Sequence, residues 1–175
     1  MATEIATKSA VRDGVKLAHI DTGSGDPPLL FIHGWCCDHN YWRDQIPEFA
    51  QRHRIVAVDL RGTGDSDAPD EDSTVDRFTD DVAWLSREIG LGPVLIGHSM
   101  GGLIALNVVR KFPHLARAAV FVDAATVPFP AQLQPLLAST LESLRSPGYK
   151  AVPTNVFQSF LFGPESHTDR STPAS

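Results

Sequence analysis

Cysteine is scarce in this chain. Its 175 residues hold two, Cys36 and Cys37, side by side. Neighbouring cysteines close only a strained ring, so a structural disulfide is not expected. No spaced pair accompanies them to complete a four-ligand zinc site. Long apolar runs are missing too: nothing approaches the roughly 20 residues of a membrane span, and residues 1–21 lack the basic-then-apolar pattern of a secretory leader. Basic residues are the minority, 15 Lys plus Arg against 21 Asp plus Glu, for a net charge of −6. That balance excludes the basic footprint of a nucleic-acid or anionic-membrane surface. Neither a Walker-type phosphate loop nor a dinucleotide fingerprint occurs, so no cofactor is expected. These absences predict a reducing, cytoplasmic setting with neither nucleic acid nor membrane as partner.

What is present is ordinary for a folded domain: 42% hydrophobic and 21% charged residues, in a length suited to a single domain. Four short apolar runs, Leu29 to Ile32, Ile55 to Val58, Val94 to Ile96 and Ala118 to Val122, are continuous rather than alternating. Strands covered on both faces of a parallel sheet read this way. Helical patterns lie between them. Val75, Phe78, Val82, Leu85 and Ile89 fall on one helix face, with Ser73 and Asp76 as a start signal and Gly90 as a stop. Trp42, Ile46 and Phe49 mark a shorter helix, and Leu103 to Val109 is apolar nearly all round, which predicts deep packing. The alternation says α/β with a mostly parallel sheet. Ahead of it, Asp13-Gly14 between Val11 and Val15 predicts an antiparallel hairpin at one sheet edge.

Beyond Val122 the character changes. Pro128, Pro130, Pro135, Pro147 and Pro153 interrupt the chain. Leu133, Leu136, Leu137, Leu141 and Leu144 mark one amphipathic helix, and Val156 to Phe162 another short apolar element. Residues 163–175 carry Ala174 as their one apolar side chain and read as a disordered tail. The expected organisation is a core over 1–125, a second segment over 126–162 and a tail over 163–175.

The strongest local signal is Gly97-His98-Ser99-Met100-Gly101, directly after the strand at Val94 and at the head of a helix from Gly102. So sharp a strand-to-helix turn strains its central serine and needs glycine at its flanks. It lifts the Ser99 hydroxyl clear of the sheet over the positive end of a helix dipole. A second signal, His33-Gly34-Trp35, follows the strand Leu29 to Ile32. Two backbone N–H groups aimed at one point stabilise developing oxyanion charge, and those of Trp35 and Met100 are the candidates. His33 itself reads as a buried, hydrogen-bonded histidine of a tight turn. A metal reading of His33, Cys36, Cys37, Asp38 and His39 fails, because ligands so close in sequence cannot converge on one ion.

With Asp59-Leu60-Arg61-Gly62-Thr63-Gly64-Asp65-Ser66 between them, these motifs stand in an order that resembles the N-terminal part of the α/β-hydrolase fold family, in its esterase and epoxide-hydrolase-like group. The resemblance covers about Val15 to Ala125. It implies an α/β-hydrolase sheet incomplete at its C-terminal side, with the start of a helical cap over 126–162. It also implies a serine nucleophile, Ser99, where epoxide hydrolases and haloalkane dehalogenases have Asp. The implied activity is hydrolysis of a small-molecule carboxylic ester, thioester, lactone or related acyl compound. A histidine would take the serine proton and an acid would orient that histidine. The middle motif reads as a structural loop.

Against that scheme the chain offers little after Ser99. Only His114 and His167 follow it. His114 reads as a surface residue, and His167 sits in the polar tail with no strand before it. Asp123, at the end of the strand Ala118 to Val122, carries two readings: the acid of a minority of the family, or a loop cap. His98 is held by the turn away from the hydroxyl, whereas His39 is placed to contact substrate. The expected result is a truncated, impaired serine hydrolase. The alternative is a non-catalytic ligand- or partner-binding remnant of the fold. Ala118 to Val122 should then form an uncovered apolar sheet edge open to self-association.

Overall fold

The computed structural model describes residues 6–124 and 131–147. The chain divides into two compact units, 1–127 and 128–175. In the first, six strands form one sheet in the order β1-β2-β4-β3-β5-β6. They are β1 Thr7–Arg12, β2 Val15–Thr22, β3 Leu29–Ile32, β4 Ile55–Val58, β5 Val94–His98 and β6 Ala118–Val122. The hairpin β1–β2 and the pair β2–β4 are antiparallel; β4, β3, β5 and β6 run parallel. The hairpin turns at Asp13 and Gly14, both at positive φ (51° and 81°), as a two-residue turn between twisted strands requires.

The period-2 geometry of a strand explains the continuous apolar runs. Leu30 and Ile32 of β3, Val56 and Val58 of β4 and Leu95 of β5 face one core. Leu29 and Phe31, Ile55 and Ala57 face the other. The first core is closed by α2 (Val75–Glu88) through Phe78, Val82 and Leu85, and by α3 (Met100–Lys111) through Ile104, Ala105 and Val108. Burying each such side chain contributes about 1.5–3 kcal/mol. Trp42 and Ile46 close the second, with Phe31 against Trp42 at a ring separation of 4.9 Å.

Several boundaries differ from the sequence reading. The cap of α2 is Thr74, not Ser73: the Thr74 hydroxyl accepts from the Arg77 N–H at 3.2 Å. The stop at Gly90 stands, with φ +64° and its N–H donating to Arg87 O. The helix expected across Trp42 to Phe49 is broken into a 3₁₀ turn, His39–Trp42, and a single turn α1, Ile46–Phe49. Pro47 has no N–H to continue a helix from upstream and instead begins one. α3 is packed on one side rather than all round. The sheet and α2 cover Ile104, Ala105 and Val108, while Leu106 remains exposed.

β6 is an edge strand among the described residues, paired with β5 alone. Val120, Phe121 and Val122 are 46%, 40% and 39% exposed, so the apolar edge is open as its sequence implied. In the second unit a 3₁₀ turn, Ala131–Leu133, leads into α4, Gln134–Leu144. The apolar element at 156–162 and the tail at 163–175 lie outside the described residues. Among the described residues no helix is long and apolar enough to cross a membrane.

Candidate functional site

Register brings the chemistry-bearing residues to one place. Ile32 of β3 pairs with Val58 of β4 and with Gly97 of β5, and His98 pairs with Val122 of β6. The residues that follow these strands, His33, Asp59, Ser99 and Asp123, therefore leave the sheet along its carboxyl edge, where α/β sheets place their sites.

Ser99 sits between β5 and α3 at φ 52°, ψ −117°. An L-residue held there stores about 1–3 kcal/mol. Its N–H donates to Val122 O at 3.0 Å, and its carbonyl accepts from Gly102 N–H at 3.0 Å to begin α3. The turn closes only because position 97 lacks a side chain; a Cβ there would overlap the Gly101 carbonyl. The Ser99 hydroxyl makes no hydrogen bond among the described residues, and none of the described imidazoles bonds to it. Gly34 fits against the same turn: a Cβ on it would lie 3.0 Å from His98 Nδ1 and 3.2 Å from Ser99 Cβ. Trp35 and Met100 thus flank one turn. The Met100 N–H belongs to the first turn of α3 and has no partner within the helix, and the Trp35 N–H donates to no described acceptor.

The histidines are otherwise engaged. Fully buried His33 lies 2.8 Å through Nδ1 from Gly34 O, and its Nε2 accepts from Leu60 N–H at 3.2 Å. Nδ1 is therefore the protonated, donating nitrogen, and burial holds the ring below the usual imidazole pKa. His33 is thus the buried, hydrogen-bonded histidine that its turn implied. His39, which the sequence reading offered as a substrate contact, is held by Asp59. Its Nδ1 lies 2.9 Å from both oxygens of Asp59, and its N–H donates to the same carboxylate at 2.7 Å. Asp59, wholly buried, also accepts from Asp65 N–H at 2.9 Å. The loop of the middle motif is thus wound around one carboxylate.

His98 stacks on Tyr41, with rings 4.4 Å apart and 19° from parallel, and meets Trp42 edge-on at 6.4 Å. Burial lowers its pKa, and the charge of Asp123 partly opposes that. Its Nδ1 is buried and has no hydrogen-bond partner among the described residues. Asp123 itself is exposed at φ 47° and holds no ion pair among the described residues. Its charge also raises the Tyr41 pKa, behind the larger effect of burial. His114 is exposed, and His167 lies outside the described residues.

Two features escaped the sequence reading. Tyr41 was masked by the apolar spacing of Trp42, Ile46 and Phe49. The second is an ion network under the middle loop. Arg61 grips Asp81 through Nε at 2.6 Å and Nη2 at 2.8 Å, and reaches Glu71 at 2.6 Å. Arg12 joins Asp81 at 2.8 Å, and Arg77 joins Glu71 at 2.7 Å. Partners 20 and 69 residues apart leave no local signal. No group of three or more His, Cys, Asp or Glu placed to hold a metal occurs among the described residues.

Comparison with known proteins bears on this arrangement. A family model described as alpha/beta hydrolase fold matches residues 27–158. A soluble epoxide hydrolase of a Corynebacterium species is 37% identical over 106 residues, covering 60% of this chain and 37% of that protein. A non-heme chloroperoxidase of Streptomyces lividans is 38% identical over 116 residues, covering 64% and 42%. Among solved structures, a thermophilic esterase from Thermogutta terrifontis aligns with a TM-score of 0.73 at 28% identity, covering 91% of this chain and 58% of that one. The chain thus spans less than half the length of these two curated relatives.

Proposed function

The chain belongs to the α/β-hydrolase fold family, and from that premise we propose that it carries the nucleophile and oxyanion-binding half of a serine hydrolase site for small acyl substrates. Carboxylic esters, thioesters and lactones are the class. The observation that carries the reading is Ser99, held at φ 52°, ψ −117° between β5 and α3 with its hydroxyl bonded to no described residue. In this reading Ser99 Oγ attacks the carbonyl carbon, and charge gathering on the carbonyl oxygen is received by the N–H groups of Trp35 and Met100. Removing one such donor typically costs about 100- to 1000-fold in rate. In this reading Asp123, one residue past β6, is the acid that orients the imidazole.

A serine also argues against following the epoxide-hydrolase relatives. Carboxylate attack on an epoxide yields an ester that water can cleave. Alkoxide attack yields an ether that it cannot.

The proton of Ser99 has no described acceptor: His33 and His39 are committed to Leu60 and Asp59, and His98 stacks on Tyr41. We infer that residues 6–124 need a base supplied from outside them, and that without it hydrolysis is impaired. That same observation favours a second reading, a ligand-binding module without turnover.

A fluorophosphonate probe tests the proposal. With free imidazole added as the base, labelling of the folded wild type, absent in Ser99→Ala, is expected. No labelling of folded wild type overturns the nucleophile, and ligand binding without labelling favours the module.

A further inference from the structure

The loop that follows His33 carries a group the acyl chemistry does not use. Gly34 to Cys37 is a tight turn, closed by the Cys37 N–H donating to Gly34 O at 3.3 Å. Cys36 occupies its third position at φ 57°, a left-handed conformation that a cysteine holds only under constraint. Both thiols are free; Cys36 is exposed and Cys37 half-buried. Burial pushes both pKa values up; for Cys36 the next cause is the charge of Cys37, and for Cys37 it is the charge of Asp38.

A direct S–S bond suits this pair poorly. Consecutive Cα atoms stand about 3.8 Å apart, short of the roughly 4.4–6.8 Å a disulfide prefers. One bridging atom between the sulfurs relaxes that demand, because it enlarges the ring and lets the sulfurs stay beyond bonding distance. Protonated thiols are poor nucleophiles singly, but two on adjacent residues deliver the second bond intramolecularly.

The geometry points to Cys36 and Cys37 as a dithiol site for trivalent organoarsenicals, compounds that take two thiolates at once. With an arsenoxide, R–As=O, two As–S bonds form and the As=O bond breaks. Both thiol protons leave with the oxygen as water. Arsenic stays trivalent, so no oxidant or reductant is needed. The site depends on the turn alone and stands whether or not Ser99 is a nucleophile.

Phenylarsine oxide, read by intact-protein mass, is the test. The wild type is expected to take up one phenylarsenic per chain with loss of water. The adduct should resist a competing monothiol at least about 100-fold better than that of Cys36→Ser or Cys37→Ser, and a small dithiol should strip it. Circular dichroism of the three proteins checks that the turn variants remain folded. A wild-type adduct no more resistant than those of the single variants, or no adduct, overturns the proposal.

Discussion

Replacing Asp81 by Ala tests the ion network most directly. The Asp81 side chain is 2% exposed and receives two hydrogen bonds from Arg61, itself 6% exposed, and one from Arg12. Without Asp81 the Arg61 guanidinium stays buried with Glu71 as its remaining partner, on a carboxylate one-third exposed. Breaking a buried pair from one side costs about 3–5 kcal/mol. Arg12, a quarter exposed, turns to water and adds less than about 1 kcal/mol. Against a total stability of about 5–15 kcal/mol this is a large share. At about 2–4 °C per kcal/mol it lowers Tm by roughly 6–20 °C. Urea unfolding followed by tryptophan fluorescence and circular dichroism gives the free energy directly. The double variant R61M/D81L separates the causes, because replacing both charges by apolar groups is close to neutral. It should recover most of the loss. A loss below about 1 kcal/mol in Asp81→Ala, or a double variant no more stable than the single one, refutes the reasoning.

Three further outcomes follow from the same structure. Ser99→Gly relieves the positive-φ strain and should raise stability by about 0.5–1 kcal/mol while abolishing probe labelling; an unchanged or lower midpoint in urea contradicts the strain. Burial lowers the pKa of His19, His33 and His98 below 6.5, so the unfolded chain binds more protons as pH falls. Stability from these groups is complete above 6.5 and falls progressively as pH drops toward their depressed values; a Tm unchanged between pH 7.5 and 5.5 contradicts this. Arg54, with Lys8, holds Asp21 at about 2, so its contribution is lost lower, between 3.8 and about 2. Finally, Phe121→Lys on the open edge should shift sedimentation toward monomer if the wild type self-associates through β6; an unaltered distribution excludes that edge.

The parallel sheet was legible because its strands are buried on both faces, and such strands leave continuous apolar runs. The turn at Ser99 was legible because strain of that kind confines the sequence to glycine around one serine. The tie between His39 and Asp59 was not legible, for the opposite reason. Asp59 lies 20 residues away and is brought beside His39 by the neighbouring strands β3 and β4. The Arg61–Asp81 pair escaped for the same cause. The cap of α2 shifted by one residue because Ser73 and Thr74 offer the same hydroxyl, and only geometry chooses between them.

The hydrogen bond from Ser99 N–H to Val122 O gives the edge strand a second meaning. Edge strands open more readily than central ones, and β6 is held on one side only among the described residues. Each time its end frays, the amide of Ser99 is released to water and Asp123 leaves with the strand. Hydrogen exchange at this single amide is therefore a reporter on the outermost strand, and the lifetime of the ordered turn is bounded by the opening rate of β6.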